Sequence, residues 1–144
     1  MKLGLDIHGV IDTHPDEYVA LAQAVLDAGG EVHILTGELD TPKLRQQLKS
    51  FGIKYTTLFS ISTYHLGKGT AIRYDEKGDP HMDEILWDRT KADYCIEHGI
   101  DLHIDDTERY GKYFKTPFLL IKGKQYGEHS SKNSNSTTDC ELVA

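Results

Sequence analysis

The chain opens on Lys2–Val10, KLGLDIHGV, and the reading of this stretch decides the fold. Leu3 to Leu5 form an apolar run, Asp6 ends it, and His8, Gly9 and Val10 follow, so Lys2 to Asp6 reads as a short buried strand entering a turn. In open parallel sheets ligands bind beyond the carboxyl ends of the strands, so this strand delivers a carboxylate to a place where chemistry is done.

Working outward, strands and helices take turns. Asp16 to Ala28 has the spacing of a helix, with Tyr18, Leu21, Ala22 and Val25 on one face and Gly29-Gly30 as its stop. Glu31 to Leu35 reads as a second strand. Thr41 to Phe51 reads as a helix opened by Thr41-Pro42 and closed by Gly52, and a third strand falls at Thr56 to Ser62. The rhythm then breaks over residues 63–87, where a turn at Glu76 to Asp79 lies between short extended pieces and predicts a hairpin excursion. It resumes with a helix at Thr90 to His98 and strands at Asp101 to Ile104 and Pro117 to Ile121. Alternation of this kind implies parallel strands joined by crossovers, hence an α/β three-layer Rossmann-like sandwich over residues 1–122. Residues 123–144 have little to bury and read as a polar, disordered tail.

Composition limits the function. Of 144 residues, 38% are hydrophobic, which supplies one full core and excludes two ordinary domains. The net charge of −7 argues against nucleic acid held on a basic face, and an anionic phosphate substrate would need local help from a metal. With no apolar run of membrane-spanning length and no leader-like segment after Met1, the expectation is a soluble, cytoplasmic protein with no membrane partner. The cysteines, Cys95 and Cys140, show no metal-ligand spacing.

Polar residues at the strand ends are the informative ones. Asp6 and His8 follow the first strand, Thr36 and Gly37 the second, Asp105 and Asp106 the fourth, and Lys91 begins the helix before that fourth strand. Singly, each has a bland reading as a turn, a cap or a solvated side chain. The adjacent pair Asp105-Asp106 is harder to dismiss, because neighbouring carboxylates repel and a cation reconciles them. A carboxylate can attack phosphorus without a base to activate it. Charge neutralisation by a hard cation such as Mg²⁺, held by Asp6, Asp105 and the backbone carbonyl of His8, would allow that attack, with Lys91 and Thr36 holding phosphoryl oxygens.

In this order, GLDIHGV, VHILTG, the lysine of WDRTKADYC and IDLHIDDTERYG, the chain resembles the haloacid dehalogenase-like (HAD-like) hydrolases, in their small, capless or minimal-cap phosphatase form. The likeness runs from residue 2 to about residue 121. It implies Asp6 as nucleophile, Thr36, Gly37 and Lys91 as phosphate contacts, Asp105 and Asp106 as support for Mg²⁺, and a small phosphate monoester as substrate. Receiver domains combine similar residues, but their acidic pair opens the chain and their lysine comes last. Oligomeric state is open, a homodimer included.

The departure is His8, where phosphatases of this kind usually carry a second aspartate as acid/base. Histidine suits proton transfer near neutrality and can replace that aspartate. Two other readings stand beside it: a loop residue in a site of reduced activity, and a site that retains or transfers the phosphoryl group, as a regulatory module or phosphotransferase. The segment at 63–87 leaves room only for a minimal cap, so the site is expected to be open; Tyr64, His65, Lys68, Arg73 and Tyr74 are candidate contacts for a nucleotide or sugar phosphate, although an ordinary solvated hairpin has the same composition and is the favoured reading of them.

Overall fold

The structure is a computed structural model that describes residues 1–122 and the backbone of a strand at 141–143. Five parallel strands form its centre: β1 (Lys2–Leu5), β2 (Glu31–Thr36), β3 (Thr57–Ser60), β6 (Leu102–Asp105) and β7 (Phe118–Lys122). The order across the sheet is β3-β2-β1-β6-β7, closed by an antiparallel edge strand, β8 (Glu141–Val143). The chain thus winds from β1 one way to β3, then crosses β1 to continue with β6. That reversal beside β1 is the topological switch at which α/β sheets open a crevice.

Alternation along β1 sorts the two faces. Leu3 and Leu5 pair in register with Val32 and Ile34 on one side and with Leu102 and Ile104 on the other. Most of these residues join the larger core with Tyr18, Ala22 and Val25 of α1 (Pro15–Asp27) and Leu44 and Leu48 of α2 (Pro42–Phe51). On the opposite face Gly4 lies in a row with His33 and His103. A smaller core there unites Leu35 with Tyr94 and Cys95 of α4 (Glu84–His98). Helices on both faces make the three layers.

The predicted punctuation of α2 is found: the Thr41 hydroxyl accepts from the Leu44 N–H, and Gly52 ends the helix at φ 84°. Leu21, expected on the apolar face of α1, is instead 37% exposed. Residues 63–87 are not one hairpin. The third strand ends at Ser60, whose hydroxyl caps a further helix, α3 (Ile61–Gly67), and the hairpin is confined to β4 (Arg73–Tyr74) and β5 (Pro80–His81). Helix α4 begins at Glu84, earlier than the expected Thr90, because the Asp83 carboxylate caps it by accepting from the Leu86 N–H at 2.8 Å. Residues 84–87 are therefore the first turn of α4.

The expectation of a tail over 123–144 falls outside the described residues except at β8, which departs from it. That strand pairs Leu142 with Ile121 and covers a β7 edge whose backbone groups would otherwise lack partners. Cys140 also lies outside the described residues. No helix among the described residues is long and apolar enough to cross a membrane.

Candidate functional site

Asp6 and Asp105 reach one place because β1 and β6 are neighbours and both residues fall on the α4 face; the Asp6 N–H continues the pairing to the Ile104 carbonyl at 3.1 Å. From α4, Lys91 points its ammonium between them. Nζ donates to Asp6 Oδ1 at 3.0 Å and to Asp105 Oδ2 at 2.8 Å, and the three side chains are buried. Asp106 completes the set: oxygens of Asp6, Asp105 and Asp106 lie within 4.8 Å of one another. Gly9, at φ 81°, closes over Asp106 so tightly that a Cβ there would fall 1.8 Å from its Oδ2, so glycine is required twice, by conformation and by contact.

Three carboxyl groups and one ammonium meet here, Asp6, Asp105 and Lys91 buried and Asp106 half-buried. Burial pushes the Asp6 carboxyl up to about 7; Lys91 pulls it down, and the neighbouring Asp105 and Asp106 oppose that pull. For Asp105 the attraction of Lys91 and a hydrogen bond from His103 outweigh burial and hold it well below the usual carboxylate range. Lys91, although buried, is held above the usual lysine range by Asp105 and Asp6. An oxygen-only set of three carboxyl groups within 4.8 Å of one another fits a hard divalent cation.

Asp105 is not an open ligand like the other two. It has no exposed surface, and besides Lys91 it accepts from His103 Nε2 at 2.9 Å and from the Thr107 N–H at 3.0 Å. His103 in turn stacks on Phe114, with ring centroids 5.2 Å apart. Asp6, His8, Thr36, Gly37, Lys91 and Asp106 line a single cavity of about 910 Å³, behind which Asp105 sits.

Thr36 and Gly37 form the second wall of this cavity. The Thr36 hydroxyl accepts from the Glu38 N–H at 3.2 Å and keeps its own proton to donate. The loop is fastened from α3: Ser62 Oγ donates to the Gly37 carbonyl at 2.6 Å and Ser60 Oγ to the Glu38 carbonyl.

His8 lines the cavity, but both its ring nitrogens are engaged. Nδ1 lies 3.0 Å from Asp12 Oδ2, and Nε2 lies 2.7 Å from Glu38 Oε1. Two flanking carboxylates favour the imidazolium, which carries a proton on each ring nitrogen. Partial burial works against that charge, yet hydrogen bonds to Asp12 and Glu38 prevail and raise the His8 pKa above 6.5. Asp12 is itself oriented by the Gly9 N–H, which donates to its other oxygen at 2.8 Å.

Of the contacts expected from residues 63–87, Tyr74 lines the cavity, together with hairpin residues 77–82, whereas Tyr64, His65, Lys68 and Arg73 do not. His65 is a buried residue bonded to Thr90. The residues that sequence reasoning missed are Glu38 and Asp12 around His8, His103 behind Asp105, and the pair Trp87 and Tyr110, joined by a 3.0 Å bond from Nε1 to the phenol oxygen.

No family model, no curated protein and no solved structure matches this chain.

Proposed function

We propose that the protein is a Mg²⁺-dependent phosphatase of the HAD-like kind that hydrolyses phosphate monoesters through an aspartyl-phosphate on Asp6. One observation carries this reading: two strand-end carboxylates meet a buried lysine at the switch point of a parallel sheet, with a third carboxylate within 4.8 Å of both, at one cavity. Asp6, Asp106 and, from behind, Asp105 would hold Mg²⁺, which supplies charge neutralisation for the anionic ester and favours the ionised form of Asp6.

In the first step an Asp6 carboxylate oxygen attacks phosphorus and the bond from phosphorus to the ester oxygen breaks. Lys91 binds Oδ1, so the reading assigns the attack to Oδ2. Lys91 and the Thr36 hydroxyl stabilise charge on the phosphoryl oxygens as it is transferred. The leaving alkoxide takes a proton from His8, which exchanges its Glu38 contact for the ester oxygen. In the second step neutral His8 accepts a proton from water, whose oxygen attacks phosphorus, releasing inorganic phosphate and restoring Asp6. We place this chemistry in the cytoplasm and its substrates among nucleotides and sugar phosphates.

The double clamp on His8 favours a second reading, in which proton transfer is suppressed and the module retains or passes on its phosphoryl group. Turnover separates the two. With Mg²⁺ and an aryl phosphate the first reading expects sustained release of inorganic phosphate, lost on chelation and reduced about a thousandfold or more in Asp6→Asn, whose amide is nearly isosteric but a poor nucleophile. One equivalent of product and no further release would support the second. Undiminished turnover in Asp6→Asn would sink both.

A further inference from the structure

The cavity is larger than a phosphoryl group needs, and much of its lining is of another character than the acidic floor. Besides the residues already described it is bounded by Tyr74, Pro80 and Met82 of the hairpin and by Trp87 and Tyr110. Trp87 is fixed from two sides. Its Nε1 donates to the Tyr110 hydroxyl, and Gly37 packs so closely that a Cβ there would lie 2.8 Å from Cζ2. The Tyr110 ring in turn carries the Lys91 ammonium, 5.3 Å from its centroid, so the aromatic pair is continuous with the phosphate floor. Arg109 lies over the same ring at 5.4 Å, its Nε committed to Asp88.

The hairpin is equally fixed. The Asp75 carboxylate accepts from the N–H groups of Lys77 and Asp79 and from His81 Nε2, all at 2.9 Å, which shapes the tip that borders the cavity. Tyr74 pairs with Pro80 across this small ladder and is 40% exposed. Aromatic surface held in place beside a phosphate floor, with Lys77, His81 and Arg109 around it, is what a flat ring attached to a phosphate would use. A small alkyl or sugar phosphate would leave that surface wet.

Resting on the phosphatase reading for the phosphate end, we infer that the site selects nucleoside monophosphates, the base lying against Trp87 and Tyr74 while the phosphate meets Asp6 and Lys91. Stacking of a base on aromatic side chains is worth on the order of tenfold or more in affinity.

The chain has a single tryptophan, so Trp87 emission reads the cavity directly. Full-length Asp6→Asn protein, with Mg²⁺, would be titrated with adenosine 5′-monophosphate, ribose 5-phosphate, adenosine and inorganic phosphate, by emission and by calorimetry. The expected result is a saturable emission change with the nucleotide, half-saturating about tenfold or more below both ribose 5-phosphate and adenosine. Tyr74→Ala in the same background should bring nucleotide and ribose 5-phosphate to within about threefold of each other. Equal affinities in the parent protein, a preference untouched by Tyr74→Ala, or no nucleotide binding would overturn the inference. Hydrolysis by the wild-type protein is scored separately. Ester hydrolysis without ring preference sinks ring selection and leaves the phosphatase reading standing, whereas ring-dependent binding without hydrolysis does the reverse.

Discussion

At the residue scale the decisive group is His8. Its raised pKa comes from Asp12 and Glu38, which hold the proton on the ring. A general acid must be protonated, so alkyl ester hydrolysis should fall as pH rises through that pKa, with a midpoint above 6.5. Removing one carboxylate removes one cause of the shift. Glu38→Gln should therefore move the midpoint of this alkaline limb downward, and His8→Ala should abolish the limb while harming alkyl esters more than activated aryl ones. The measurement is the pH dependence of kcat/KM, which reports groups of the free enzyme, for both ester types. A limb unmoved by Glu38→Gln and by His8→Ala would make His8 a structural loop residue.

At the scale of elements, β1 and β6 carry the site, and Gly4 sets how they fit. A Cβ at Gly4 would lie 2.6 Å from His103 Nδ1, and His103 is held by its bond to Asp105 and by the Phe114 ring. The imidazole cannot yield without disturbing Asp105. Gly4→Ala should cost about 1–3 kcal/mol of stability, the usual range for overpacking, and should also lower turnover, which chemical denaturation and steady-state kinetics would check. Gly4→Ala combined with His103→Ala should relieve the clash but not restore turnover, since Asp105 would lose its donor.

This pairing also shows what could be read from sequence. Asp6, Thr36, Lys91 and Asp105-Asp106 were legible because each sits at a strand end or helix position fixed by local pattern, and topology brings such positions together. The His8 clamp was not, because its partner Glu38 lies 30 residues away and its geometry depends on a loop fastened by Ser60 and Ser62. His103 lies inside a strand pattern, where nothing local marks its role behind Asp105. The start of α4 was hidden because its first turn leaves Ile85 and Leu86 exposed, so the apolar stripe that marks a helix is absent there. Helix α3 is short and follows a strand directly, leaving no polar gap to announce it.

For the whole molecule, the proposed Mg²⁺ site of Asp6, Asp105 and Asp106 at the sheet's switch point would couple metal binding to stability. A ligand that binds only the folded chain stabilises it by mass action, about 2.7 kcal/mol at a hundredfold excess over Kd. For a domain of this size that corresponds to a rise in Tm of roughly 5–10 °C. Mg²⁺ should produce such a rise in a thermal melt, and Asp106→Asn should shrink it. Equal midpoints with and without millimolar Mg²⁺ would remove the metal from the account.

The central claim is the covalent intermediate on Asp6. Protein mixed with an aryl phosphate and Mg²⁺, quenched in acid during turnover and digested, should yield the peptide containing Asp6 with one added phosphoryl group. Hydroxylamine should remove that group, as it does acyl phosphates. Sustained hydrolysis with the Asp6 peptide unmodified, or with the phosphoryl group on another residue, would contradict the account.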